Sequence, residues 1–84
     1  MNFYNETHKT TGGRVEVAQG SKTGFMYNVH NKWDMPRGQG YAVFVTGPDG
    51  KSITGNTAAF YSRSMNSTDA KAWCSGYEKT AAAA

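Results

Sequence analysis

Apolar and polar residues alternate with a period of two in two stretches of the chain and run together in a third. Arg14-Val15-Glu16-Val17-Ala18 alternates, with Val15 and Val17 inward and Arg14 and Glu16 outward, the pattern of a half-exposed strand. In Phe25-Met26-Tyr27-Asn28-Val29-His30, Phe25, Tyr27 and Val29 share one face and Met26, Asn28 and His30 the other. Tyr41 to Val45 is unbroken apolar sequence rich in β-branched and aromatic residues, which predicts a strand covered at least partly on both faces.

The punctuation between these stretches predicts how they connect. In Thr46-Gly47-Pro48-Asp49-Gly50, Pro48 presets φ for the second turn position, Asp49 suits the third, and Gly50 supplies a left-handed residue that rejoins the strands. A return strand is expected from about Lys51 to Ser62, with a bulge or bend at Gly55-Asn56. On it, Ala58 and Phe60 share one face, and Ala59 and Tyr61 the other. Phe3-Tyr4 opens a short first strand that leads through His8, Lys9 and Thr10 to a turn at Gly12-Gly13. Gln19 to Lys22 reads as another turn, or a short loop extending to Gly24. Asn31 to Gly40 is a loop rich in turn formers.

The period changes near the end. Asn66 is a good N-cap, with Asp69 in the acidic position three residues on and Met65 and Ala70 placed for a hydrophobic staple. Ala70, Trp73, Cys74 and Tyr77 then fall on one helical stripe, expected to cover the sheet beside Ala58 and Phe60. Gly76 costs about 1 kcal/mol relative to alanine, so an early helix end is expected. The predicted fold is α+β: a small antiparallel β-meander of four to five strands with one C-terminal helix packed on one face. Residues 1–84 form a single domain, with 81–84 either an added tag or a frayed helix end. Met26, Phe44, Tyr61 and Trp33 are candidates for the face opposite the helix.

Composition sharpens this. Apolar content is 38% with 13% aromatic residues, no leucine and one isoleucine, Ile53, which argues against a helical bundle and for a sheet packed by a few large rings. The net charge of +3 is mildly basic and does not mark a dedicated polyanion binder. A single cysteine, Cys74, excludes an internal disulfide and fits a reducing compartment. With no membrane-length apolar segment and no signal-peptide core, a cytoplasmic, soluble protein with no membrane contact is expected. Asn5-Glu6-Thr7 and Asn66-Ser67-Thr68 match the glycosylation pattern only by coincidence in that setting.

No catalytic residue, metal site or cofactor is expected. His8, His30 and Cys74 lack paired ligand spacing. Cys74 sits on the apolar stripe, where a thiol is inert packing. Of the six carboxylates, Asp49 and Asp69 already have turn and cap roles, and Gly38-Gln39-Gly40 precedes a strand where a dinucleotide fingerprint would follow one.

Binding is what is left. Trp33, Met35 and Arg37, with Lys32 beside them, are residue types concentrated at the energetic centres of interfaces, set on a loop stiffened by Pro36. The expectation is a non-enzymatic module that binds a larger protein or complex. Trp33 serves as anchor, Met35 as apolar contact, Arg37 as partner to a carboxylate and Lys32 as a steering charge. Size and the lack of a catalytic motif suggest, by analogy, an inhibitor of the phage or mobile-element type that blocks a host defence enzyme. The alternative is a single-stranded nucleic-acid-binding module that stacks bases on Tyr27, Tyr41 and Tyr61 and holds phosphates with Lys51 and Arg63. An uncovered sheet face or edge would also permit a homodimer.

Overall fold

The computed structural model describes residues 1–7, 14–31, 40–53, 55, 58–62 and 67–83. Five strands follow in chain order: β1 (Tyr4–Thr7), β2 (Arg14–Gln19), β3 (Met26–Asn31), β4 (Tyr41–Thr46) and β5 (Phe60–Ser62). One helix, α1 (Thr68–Ala83), comes last. Each strand pairs antiparallel with the next, giving a sheet ordered β1-β2-β3-β4-β5. This is the predicted α+β meander, with five strands and α1 packed across β3, β4 and β5.

Register fixes the two faces. One face carries the rows Tyr4-Val17-Asn28-Phe44 and Glu6-Val15-His30-Ala42-Tyr61. The other carries Asn5-Glu16-Val29-Val43-Phe60 and Ala18-Tyr27-Val45, and this is the face α1 covers. Tyr27, Val29, Val43 and Val45 meet Ala70 and Cys74 of α1 in a closed core. Ala70 and Cys74 are small, so the helix settles close to the valines. Burying each valine contributes roughly 1.5–3 kcal/mol.

Aromatic rings extend this core along the helix. Phe60 stacks on Trp73 at 5.7 Å and Trp73 on Tyr77 at 5.1 Å. Tyr77 in turn meets Tyr27 edge-on at 6.1 Å and Phe25 at 6.4 Å. The row does the work that leucines do elsewhere, as the composition implies. Ile53 takes no part and is 42% exposed.

The turn after β4 forms as predicted. The Gly50 N–H donates to the Gly47 carbonyl (2.9 Å), the Lys51 N–H to Asp49 Oδ1 (3.0 Å), and Gly50 has φ +84°. Of the return strand expected from about Lys51 to Ser62, the described residues form its two ends. Thr46 bridges Ser52, and the Ile53 N–H reaches the Val45 carbonyl. Gly55 has φ +70° and its carbonyl accepts from Ser52 Oγ, and the next described pairing is at Ala59 and β5. The predicted bend at Gly55 thus divides the strand.

Two other expectations change. Val15 and Val17 are buried, but on the face away from α1; Glu16 and Ala18 point toward the helix side. Lys71 reaches down to Glu16, with Nζ 3.1 Å from Oε2 in ion-pair but not hydrogen-bond geometry, and lies 5.5 Å from the centre of the Phe3 ring. The helix begins at Thr68, and the Lys71 N–H donates to the Ser67 carbonyl, which makes Ser67 the cap. Asn66 and Met65 lie outside the described residues. Nor does Gly76 end the helix, which continues through Ala81 to Ala83. No described helix is long and apolar enough to cross a membrane.

Candidate functional site

The four residues expected to carry partner binding, Lys32, Trp33, Met35 and Arg37, lie outside the described residues, as does Arg63. Their segment joins β3 to β4 just beyond the Asn31-Tyr41 pair. The other candidates can be placed.

Tyr27, Tyr41 and Tyr61 do not form one platform. Tyr27 is fully buried beneath α1, and Tyr41 packs at the edge of the same core. Tyr61 stands on the opposite face, 37% exposed. Lys51 sits at the β4 turn, while Tyr61 pairs with Ala42 at the far end of β4, roughly 13 Å along the strand. The alternation of β3 placed Tyr27 correctly with Val29. A face buried under a helix, however, offers no ring to a base.

Tyr27 instead belongs to a polar cluster that sequence reasoning missed. Its hydroxyl donates to Glu78 Oε1 at 2.9 Å. The Thr23 hydroxyl donates to the same oxygen, and the N–H groups of Lys22 and Thr23 donate to Oε2 at 3.1 Å each. Four donors thus converge on one carboxylate and tie the β2–β3 turn to the helix. Burial opposes the charge on Glu78, but these hydrogen bonds outweigh it and hold its pKa below the ordinary value. The same burial, with the carboxylate beside it, pushes the Tyr27 hydroxyl well up.

Gly20 makes room for the carboxylate: a Cβ there would overlap Glu78 Oε1. Ala70, Cys74 and Glu78 are spaced i, i+4 and i+8, so a lone acid continuing an apolar stripe was the available signal. With every carboxylate oxygen engaged and a tyrosine far from ionising, the cluster is built to hold structure together.

Nucleophilic chemistry fares no better. Cys74 is fully buried, and burial pushes its thiol up to about 12. His30 projects from the opposite side of the sheet, so the two cannot meet. His8 lies outside the described residues. Among the described residues, no three His, Cys, Asp or Glu side chains cluster to hold a metal.

Two surfaces stand out. The first is the sheet face away from α1. Val15, Val17 and Ala42 are buried there, at register positions beside Tyr4, Met26, Phe44, Tyr61 and His30, with His30 edge-on to Phe44 at 5.1 Å. Met26, Phe44 and Tyr61 were expected on this face. Its strand positions carry one carboxylate, Glu6, and no lysine or arginine among the described residues. The second is a cleft of about 600 Å³ where the start of β1, the β2–β3 turn and the later half of α1 meet, flanked by Lys22 and Lys79.

No family model, curated protein or solved structure matches the chain.

Proposed function

We propose that this chain is a small non-enzymatic protein-binding module, an inhibitor or modulator that docks on a larger protein through the sheet face away from α1. The make-up of that face supports the reading. Tyrosine, phenylalanine and methionine, with His30 among them, surround a buried aliphatic centre, and those three types are enriched where proteins bury one another. Tyr4 and Tyr61 keep 51% and 37% of their surface exposed. A phosphate backbone would need cations there, and the described strand positions supply none. On this reading the loop after β3 adds Trp33 as anchor, Met35 beside it, Arg37 as a carboxylate partner and Lys32 as a steering charge. The size suits a cytoplasmic inhibitor of the sort that phages and mobile elements direct at host defence enzymes.

The test places a photo-crosslinking benzoylphenylalanine at position 61 or, as a control, at Ala72 on the exposed side of α1. Irradiation in nuclease-treated cell extract at high salt is expected to give one discrete protein adduct from position 61 and none from 72. Tyr4→Ala with Tyr61→Ala, and separately Trp33→Ala with Arg37→Ala, should each abolish competition for that adduct while Tm moves by no more than roughly 4 °C. An adduct at 72 alone, or material lost on nuclease treatment, would overturn the reading.

A further inference from the structure

We infer that the outer edge of β1 is a docking site for an extended peptide strand whose acidic C-terminal end enters the cleft between Lys22 and Lys79. This extends the protein-binding reading from the sheet face to the sheet edge and names the chemistry of the partner segment.

The edge comes first. Among the described residues β1 pairs with β2 alone, on one side, and all four of its residues are exposed. In an antiparallel ladder every second residue turns its N–H and C=O away from the neighbour, so β1 presents unpaired donors and acceptors along its outer side. At the other edge, β5 is three residues long and lies beside the helix. A newcomer therefore finds its longer, more open template at β1.

Direction follows from geometry. β1 runs from Tyr4 to Thr7, so an antiparallel strand on its outer edge brings its C-terminal end to Tyr4. Continued, that end passes Asn2 and Met1 into the cleft, which both residues line. There it meets the ammonium groups of Lys22 and Lys79 and the hydroxyls of Ser21 and Ser75. Glu78 also borders the cleft; its oxygens are held by four internal donors, and its single negative charge is outnumbered by the two lysines. The two ammonium groups, with serine hydroxyls able to donate beside them, suit a carboxylate. At the other end of β1, Glu6 favours a cation on the incoming strand. The fitting segment thus begins basic, alternates β-branched residues, and ends in an acid.

The probe is the peptide Lys-Thr-Val-Thr-Val-Glu with a free C-terminus, titrated into the 15N-labelled protein. Amide shifts are expected at Asn5, Glu6 and Thr7 together with Lys22 and Lys79. An amidated peptide ending in glutamine should bind roughly tenfold more weakly. Lys22→Gln with Lys79→Gln, both exposed side chains, should erase that difference. Methylating alternate peptide nitrogens removes the ladder without touching the protein and should abolish binding. Equal affinity for the acid and amide peptides would overturn the assignment. So would an oligothymidylate that shifts Lys22 and Lys79 but not β1, or β1 amides that shift with protein concentration alone, the mark of a second copy. Tyr61→Ala leaves this titration unchanged, so failure at the edge and failure at the sheet face are told apart.

Discussion

The two faces of the sheet use the same alternating strands to opposite ends. Under α1, the valines of β3 and β4 disappear beneath Ala70 and Cys74, and a continuous row of rings from Phe60 to Tyr77 closes over them. On the other side the valines of β2 are just as deeply placed, yet the rings around them stand up at the surface, Tyr4 and Tyr61 most of all. Aromatic residues are the cohesive element on one face and the displayed element on the other. A chain without leucine has to divide its rings between these uses, and register alone decides which ring goes where.

The largest test of that division is a matched pair. Trp73→Ala removes the middle of the ring row and should cost about 3 kcal/mol in chemical denaturation. Tyr61→Ala, on the other face, should stay within about 0.5 kcal/mol. Comparable losses would mean that both faces are core.

The clamp at the helix-side corner gives the next effect. Glu78→Ala strands the Tyr27 hydroxyl in the interior and should cost roughly 3 kcal/mol. Gly20→Ala should do similar damage by expelling the carboxylate, and should add little once Glu78 is already alanine. Full additivity in that double-mutant cycle would separate the two sites. The pH dependence has a definite sign. Because the folded pKa of Glu78 lies below its unfolded value, its contribution is complete above the ordinary glutamate pKa and fades as pH falls through the folded one. Thermal melts in acid should therefore converge for the native chain and Glu78→Gln.

The smallest effect is a gain. Gly76 lies inside α1 on its exposed side, with open space where a Cβ would sit, so Gly76→Ala should stabilise by about 1 kcal/mol. It should do so without altering either the sheet-face crosslink or the peptide titration.

What the sequence disclosed follows from how local each signal is. The Gly47–Gly50 turn, the alternation of β3 and the stripe from Ala70 to Tyr77 are each set by residues within a few positions of one another, and each formed. Two features depended on distant partners and were not legible. Glu78 continues the apolar stripe of α1, but its donors lie in the β2–β3 turn and on β3, more than fifty positions away. β2 was read with its valines toward the core, but both faces of this sheet are apolar, and period two cannot say which of them meets the helix. The candidate tyrosines divide between the faces for the same reason: alternation separates Tyr27 from Tyr61 only once the strands are paired.

The Glu78 carboxylate accepts from Lys22 and Thr23 across 56 and 55 positions of chain. On the ribosome, the β2–β3 turn is made long before the group that holds it. Until the helix has been synthesised, two turn amides and the Tyr27 hydroxyl have no carboxylate to donate to, and the valine face has no cover. The fold is therefore completed late, and a nascent chain stalled short of the helix should leave the valine face uncovered and be cut readily by proteases.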